Sequence, residues 1–242
     1  MDARERREFA SEIKFLIPLA QAGAIREWAR ERLAPDPYGG GPAGDVYQIA
    51  SLYLDTPQFE VLRRVGSFGR SKYRIRRYGQ AEHVFLERKL KVRQLVSKRR
   101  SMVGAAELHR LAEAEPQSGW AGFRFHRRIL GRHLQVVCQV SYARTARVCV
   151  DGARPIRLTL DENLRAVSAR TPEFQDPLGL SLFDGHAILE LKYRCTLPSA
   201  FEELIEKFSL IPRPVSKYRT AVAALAPRSE GSFNQTGASA LG

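Results

Sequence analysis

Several stretches of the chain alternate apolar and charged residues with the period of two that is typical of β-strands. In residues 83–91, Val84 and Leu86 fall on one face of the predicted strand, while Glu87 and Lys89 fall on the other. A similar alternation, mostly with basic charges, occurs in residues 71–78, 138–144, 155–161 and 188–192. Several strands of this kind, with helices to cover the apolar side, predict a closed sheet with a charged lumen. A lumen lined by Lys and Arg is suited to binding polyanions.

Caps, turns and periodicity predict the order of the remaining elements. The predicted strands are residues 12–17, 46–54, 71–78, 83–91, 137–150, 155–161 and 186–193. The predicted helices are residues 18–33, a short helix opened by Asp55, and residues 104–114, 120–133, 199–208 and 217–225. Residues 12–226 are expected to form a single α+β domain. An N-terminal extension at 1–11 precedes it, and a disordered tail at 227–242 follows it.

The net charge narrows the class of partner. The 242 residues include 39 Lys and Arg against 26 Asp and Glu, a formal charge of +13. A surplus of this size favours nucleic acid, an anionic membrane or a phosphorylated substrate. Much of the surplus lies inside strand patterns and not in an exposed stripe with interleaved aromatic residues, so a nucleic-acid partner is not favoured.

Hydropathy and cysteine usage predict a cytoplasmic protein without an integral membrane segment. No apolar run reaches the roughly 20 residues needed to span a bilayer, and the N-terminal stretch is charged where a secretory signal would be apolar. Cys138, Cys149 and Cys195 are odd in number and isolated in sequence. They are therefore expected to be buried thiols and not part of a disulfide framework or a zinc site.

Short motifs in a fixed order resemble one protein family. They are EIKF (12–15), SLYLDT (51–56), KYRIRRYG (72–79), FLERK (85–89), SKRR (97–100), SYARTA (141–146), RLTLDENL (157–164), LELKY (189–193) and SKYRTAV (216–222). Together they resemble the VTC domain, the polyphosphate polymerase branch of the triphosphate tunnel metalloenzymes. The resemblance implies an antiparallel β-barrel tunnel with a charged lumen, surrounded by helices. It also implies that the protein makes inorganic polyphosphate from ATP with a divalent metal, Mn or Mg.

The resemblance further implies roles for individual residues. The expected catalytic residues are Lys14, Arg74, Arg76, Lys89 and Lys217. The expected substrate-binding residues are Lys98, Arg144, Arg157, Lys192 and Ser216, and the expected metal ligands are Glu190 and Glu12. Two positions depart from the family pattern. Pro214 stands where some members have a further lysine, and Ala10 stands at the first acidic place of the ExExK motif of related hydrolases. The second departure weakens the case for a metal site that activates water.

Other functions fit the same residues. A triphosphatase would hydrolyse inorganic or nucleoside triphosphate in the same tunnel, and a non-catalytic module would bind polyphosphate or RNA without turnover. The basic helix predicted at 120–133 could dock on nucleic acid, a membrane or an emerging polyphosphate chain. Taken singly, Arg74 and Arg76 could also line a solvated sheet edge, and Glu87 with Lys89 could form a surface ion pair of little energetic value.

Overall fold

The computed structural model describes residues 3–4, 11–92, 95–149, 155–176, 178–194 and 196–226. The strands are β1 (Ala3–Arg4), β2 (Ser11–Pro18), β3 (Ala34–Pro35), β4 (Val46–Asp55), β5 (Ser71–Tyr78), β6 (His83–Val92), β7 (Leu95–Gly104), β8 (Gln135–Cys149), β9 (Ile156–Ser168), β10 (Leu180–Ser181) and β11 (His186–Tyr193). The α-helices are α1 (Leu19–Arg32), α2 (Glu60–Arg63), α3 (Phe123–Leu130), α4 (Ser199–Lys207) and α5 (Lys217–Leu225). Two 3₁₀ helices span Phe68–Arg70 and Ala105–Ala112.

A single antiparallel sheet contains these strands. Its order is β1-β7-β6-β5-β4-β8-β9-β11-β2, with β10 paired to β9 and β3 paired to β8. Five strands separate β6 from β2 in this order. Nevertheless, Lys89 Nζ on β6 lies 3.5 Å from Glu12 Oε2 on β2. The sheet is therefore curled so that its two ends approach each other, which confirms the predicted α+β class with a tunnel-like antiparallel sheet.

The seam between the two ends of the sheet differs from the predicted closed sheet. Within the described ranges, β2 pairs along its length with β11, and no backbone ladder joins β2 to β6 or β7. The ion pair between Lys89 and Glu12 bridges this seam. The tunnel wall is thus a curled open sheet, because side chains and not backbone hydrogen bonds connect its ends.

Two apolar layers cover the outer face of the sheet. The first lies beneath α1 and α4 and contains Ile25, Trp28, Leu158, Leu189 and Phe201. The second contains Leu52, Ile75, Leu86, Trp120 and Phe125. Full burial of such side chains stabilises the fold by about 1.5–3 kcal/mol each. Because the strand residues of these layers, such as Ile75, Leu86 and Leu189, occupy outward positions, the charged residues that alternate with them face inward.

Several elements differ from the sequence prediction. Strand β7 lies where no strand is predicted, because Lys98, Arg99 and Arg100 place basic residues on both faces and remove the alternation. Strand β9 continues to Ser168, past a register shift near Asn163, whose φ of 53° is typical of a bulge. The helices predicted at 104–114 and 120–133 are shorter in the structure, as the 3₁₀ helix Ala105–Ala112 and as α3.

The cysteine and membrane expectations have separate outcomes. Cys138 is buried and Cys149 is half-buried, and both are free thiols. Among the helices that the structure describes, none is sufficiently long and apolar to cross a membrane. Cys195, Ala10 and the expected tail at 227–242 lie outside the described residues.

Candidate active site in the tunnel wall

Two rows of inward-facing side chains cross strands β5, β6 and β7. The strand register places the members of each row directly opposite one another, and the rows are Arg74–Glu87–Arg100 and Lys72–Lys89–Lys98. Side chains at directly opposed positions of antiparallel strands lie close enough to interact. The first row combines opposite charges, whereas the second contains only lysines and therefore carries unbalanced positive charge.

Four side chains on β2 and β11 form the Glu190 cluster, which consists of Glu12, Lys14, Glu190 and Lys192. Lys14 Nζ lies 2.8 Å from Glu12 Oε1 and 3.0 Å from Glu190 Oε2. Lys192 Nζ lies 2.7 Å from Glu190 Oε1 and 4.0 Å from Glu12 Oε2. Both carboxylates therefore converge on the same ammonium groups.

The charge states in the Glu190 cluster follow from these contacts. Burial raises the pKa of Glu190, but Lys192 and Lys14 outweigh it and hold that pKa well below its ordinary value. Burial lowers the pKa of Lys14, but Glu190 and Glu12 raise it above its ordinary value. Glu190 is thus ionised and Lys14 is charged at neutral pH.

The donor set of the Glu190 cluster fits a divalent cation that is shared with substrate. Within the described part of the chain, no group of three or more His, Cys, Asp or Glu residues could hold a metal ion alone. Glu12 and Glu190 supply two carboxylates that already converge on a cation, the Lys14 ammonium. Mg²⁺ is commonly bound by one or two carboxylates together with substrate phosphates and water, so this pair meets that requirement.

Four side chains on β5, β6 and β7 form the Glu87 cluster, which consists of Arg74, Glu87, Lys98 and Arg100. Arg74 Nε donates to Glu87 Oε2 at 2.5 Å, and Lys98 Nζ and Arg100 Nε lie 3.2 and 3.4 Å from Glu87 Oε1. Glu87 is 2% exposed. Burial raises its pKa, but Arg74 and the neighbouring bases hold the pKa well below its ordinary value. One carboxylate thus orients three cations.

A third group, the Asp161 cluster, consists of Arg144 on β8, Asp161 on β9 and Lys217 at the start of α5. Arg144 grips Asp161 through two hydrogen bonds of 2.6 and 2.8 Å, and Lys217 Nζ lies 2.6 Å from Asp161 Oδ2. Burial raises the pKa of Asp161, but Arg144 and Lys217 lower it to about 2. The carboxylate is therefore ionised and fixes both bases.

Tyr142 connects this cluster to β5. Arg76 Nη2 donates to Tyr142 Oη at 3.1 Å, and Arg76 Nε donates to Ser51 Oγ at the same distance. The ammonium of Lys217 lies 4.9 Å from the centre of the Tyr142 ring, within range of a cation–π interaction. The hydroxyl of Tyr142 therefore contacts Arg76, and the face of its ring contacts Lys217.

The three clusters act on one another across the tunnel. Arg144 and Lys217 contribute to the low pKa of Glu190, although they belong to the Asp161 cluster. Desolvation, together with the charges of Lys14 on β2 and Lys89 on β6, lowers the pKa of Lys72 to about 8. Interactions of this kind between distant strands require that their side chains face one shared space.

The comparisons with known proteins agree with this geometry. A family model described as the VTC domain matches residues 9–226. The chain belongs to the VTC domain family. No curated protein shows significant sequence similarity to it.

Two solved structures share the fold of this VTC domain. A candidate adenylate cyclase from Bacillus halodurans has a TM-score of 0.53 and 16% identity, over 89% of this chain and 96% of its own. A candidate adenylyl cyclase from Hippeastrum, described as having a dominant triphosphatase activity, has a TM-score of 0.50 and 14% identity, over 91% of this chain and 99% of its own. The family and the fold support an enzyme that acts on phosphate compounds.

Ten of the twelve predicted site residues of the VTC domain contribute to the clusters or connect them. Two are placed differently. Arg157 Nη2 lies 2.8 Å from both Tyr47 Oη and Asp36 Oδ2, so a tyrosine and a carboxylate outside the clusters hold this side chain. Ser216 Oγ accepts from Arg219 N–H at 3.5 Å and caps α5, which orients the adjacent Lys217. Their substrate-binding roles stay predictions.

Several residues at the tunnel face are missing from the sequence prediction. They are Lys72, Glu87, Arg100, Tyr142 and Asp161. Lys72 and Arg100 could have been found, since each lies two positions from a predicted residue on the same strand face, Arg74 and Lys98. Tyr142 also lies two positions from a predicted residue on the same strand face, Arg144, but the sequence does not indicate its contact with Arg76, which joins two strands that are not neighbours in the sheet.

Proposed function

We propose that residues 12–226 form one tunnel domain that transfers the γ-phosphate of ATP to a growing inorganic polyphosphate chain. The observation that carries the proposal is the surplus of bases around Glu87, where one carboxylate faces Arg74, Lys98 and Arg100. Guanidinium groups bind phosphate oxygens in a fixed fork, and lysine acts as a point charge. Such a wall is suited to a chain of phosphates, which carries negative charge along its whole length.

In this proposal the residues of the wall have distinct tasks. Arg74 and Arg76 orient the transferring phosphate, and Lys14, Lys89 and Lys217 neutralise charge that spreads over its oxygens. Lys98, Lys192 and Arg144 steer the chain. Most of these side chains are held by carboxylates before substrate arrives, so little reorganisation is needed when the phosphates bind.

Glu190 and Glu12 are the residues that would hold a divalent metal, Mn or Mg. A metal bound there would neutralise negative charge on the phosphate groups of the substrate. The two carboxylates could turn from the lysine ammonium groups towards the metal, because Lys14 and Lys192 are partly exposed and can reach water. Ionised carboxylates are required for this, and the lowered pKa of Glu190 provides one at neutral pH.

The proposed transfer needs no general base. A terminal oxygen of the acceptor chain, already ionised at neutral pH, forms a bond to the γ-phosphorus of ATP. The bond between that phosphorus and the oxygen bridging to the β-phosphate breaks, and ADP leaves with the electron pair. The chain grows by one phosphate, and alignment and charge neutralisation supply the catalysis.

A triphosphatase is the second candidate, favoured by the activity described for the Hippeastrum structure. In that reaction water replaces the phosphate chain as acceptor. A polyphosphate- or RNA-binding module without turnover is the third candidate. The basic wall alone is compatible with all three, so the products must distinguish them.

The deciding experiment is to incubate the purified protein with ATP labelled in the γ-phosphate and with Mn²⁺ or Mg²⁺, and to resolve the products by size. Long, phosphatase-sensitive chains that require metal would support the polymerase. Free phosphate without polymer would contradict the polymerase and support the triphosphatase. Intact ATP, together with salt-sensitive binding of polyphosphate, would favour the binding module.

A further inference from the structure

A cavity of about 560 Å³ lies outside the tunnel, between α3 and the outer face of β6 and β7. The residues of its lining that matter here are Arg88, Arg99, Phe123, Phe125, Arg127 and Arg128. On β6, Arg88 lies between the inward-facing Glu87 and Lys89, and on β7, Arg99 lies between Lys98 and Arg100. The alternation of the strands therefore directs Arg88 and Arg99 away from the tunnel.

The arginines of this outer pocket repel one another. Arg88 and Arg99 are directly opposite on neighbouring strands, an arrangement that is unfavourable for like charges. Burial and the guanidinium groups of Arg128 and Arg132 lower the pKa of Arg88. Within the described residues, no ion pair joins Arg88, Arg99 or Arg128 to a carboxylate. A bound anion would offset the mutual repulsion of these guanidinium groups.

One donor in the outer pocket is buried without a partner. The Nε of Arg88 is shielded from solvent and has no hydrogen-bond acceptor in the structure. An unsatisfied buried donor costs about 1–3 kcal/mol, and more when the group is charged. A ligand oxygen that reached this nitrogen would remove that cost.

Two phenylalanine rings give the pocket an apolar part. Phe125 is buried and Phe123 is partly buried, and the Arg127 guanidinium lies 5.6 Å from the centre of the Phe123 ring. Apolar walls reduce the local dielectric constant and so strengthen the attraction between guanidinium groups and a bound anion. The cavity volume lies within the range of small-molecule sites.

We propose that this outer pocket is a second phosphate-binding site, separate from the tunnel, that binds an oligophosphate group through Arg88, Arg99 and Arg128. Guanidinium groups from one helix and two strands surround the cavity, so they can grip a chain of two or three phosphates from several sides. The ligand can be an inorganic phosphate chain or the phosphates of a nucleotide. Both present the same oxygens to the arginines.

Calorimetric titration with inorganic triphosphate tests the proposal without relying on catalysis. The wild-type protein should bind two triphosphates per chain. Arg99→Gln should bind one triphosphate, in the tunnel. Arg74→Ala should still bind triphosphate in the outer pocket. Arg170→Gln, which removes an exposed arginine that does not line the outer pocket, is the matched control and should still bind two. Equal stoichiometry in Arg99→Gln and the wild type would overturn the proposal.

Thermal unfolding provides a second readout that also works if the tunnel binds no triphosphate. In a buffer free of polyvalent anions, Arg99→Gln should raise Tm, because it removes a repulsive partner of Arg88. Triphosphate should raise the Tm of Arg74→Ala by several degrees and that of the double variant Arg74→Ala/Arg99→Gln by much less. Arg128→Gln, in an exposed helical position, replaces Arg99→Gln if the strand variant fails to fold.

Nucleotide titrations identify which phosphate source the pocket accepts. In the Arg74→Ala background, ATP binding equal to or tighter than that of triphosphate supports the site and assigns the nucleotide as a ligand. Binding of triphosphate without binding of ATP supports an inorganic chain. Binding of RNA or anionic vesicles, with no response to either small ligand, would contradict an oligophosphate site.

Discussion

The Glu190 cluster and the Glu87 cluster contain similar residue types but differ in charge balance. In the Glu190 cluster two carboxylates face two lysines, so the charges cancel. In the Glu87 cluster one carboxylate faces two arginines and a lysine, so its four residues carry a formal charge of +2. The balanced cluster is suited to a metal ion, because it can exchange one cation for another. The unbalanced cluster is suited to phosphate.

The two clusters also use their carboxylates differently. Glu87 is almost completely buried and is surrounded by its bases, so it orients them and has little access to a ligand. Glu12 is the more exposed of the two carboxylates that meet at Lys14, and it also contacts Lys89 across the seam. Replacement of Glu87 or Asp161 should therefore affect stability and phosphate binding. Replacement of Glu12 or Glu190 should affect metal binding.

The largest effect is expected for Arg74→Ala. Loss of a group that contacts transferring phosphate should lower kcat/KM by about 10²–10³-fold. The fold should persist, because Glu87 retains Lys98 and Arg100. Steady-state kinetics with ATP and metal measure the loss. The control is Arg77→Ala, which removes the neighbouring arginine that points outward and stacks on Phe174. Equal activity in the two variants would show that the inner row does not bind the substrate.

Glu190→Gln should reduce the affinity for Mn²⁺ by about 100-fold, since replacement of groups that support a bound metal typically costs 10–100-fold. Titration of Mn²⁺ in the presence of triphosphate measures this affinity. Glu12→Gln should have a smaller effect, because Glu12 is more exposed than Glu190. An unchanged Mn²⁺ affinity in Glu190→Gln would show that the Glu190 cluster does not bind the metal.

Asp161→Asn should destabilise the fold without a comparable loss of metal affinity. Arg144 and Lys217 lower the pKa of Asp161 from 3.8 to about 2, which corresponds to roughly 2–3 kcal/mol of stability at neutral pH. The pKa is lowered on folding, so this contribution is complete above pH 4 and is lost as the pH falls towards 2. Denaturant unfolding from pH 7 to pH 2 should show a flatter pH dependence in the variant. An unchanged profile would mean that folding does not lower the pKa of Asp161.

The fold could be predicted well from the sequence where alternation is strict. In β11, Leu189 and Leu191 are buried on one side and Glu190 faces the tunnel on the other, as the period of two predicts. The prediction fails at β7, where consecutive basic residues serve both the tunnel and the outer pocket. A strand with similar residues on its two faces has no binary pattern, so its presence depends on pairing with β6 and β1.

The candidate site could be predicted in its basic residues and in the carboxylates Glu12 and Glu190, but not in the carboxylates Glu87 and Asp161, which hold the remaining bases. Period-two alternation and family resemblance name Arg74, Arg144 and Lys217 without indicating what holds them. The charged face of residues 83–91 predicts that Glu87 lines the lumen, and the alternative is a surface ion pair with Lys89. In the structure Glu87 is buried and pairs with Arg74. The register of β5 against β6 decides this pairing, and register depends on the whole sheet.

The smallest effect concerns the lysine row next to the Glu87 cluster. Desolvation, Lys14 and Lys89 lower the pKa of Lys72 to about 8. A bound anion favours the charged form, so triphosphate affinity should fall as the pH rises above 8 and Lys72 loses its proton. The loss of one charge is worth about 1 kcal/mol in a partly hydrated site, or roughly fivefold in affinity. Lys72→Arg keeps its charge and should flatten the profile between pH 7.5 and 9.5 in calorimetric titrations. If the triphosphate affinities of the variant and the wild type fall in parallel as the pH rises, the titrating group is not Lys72.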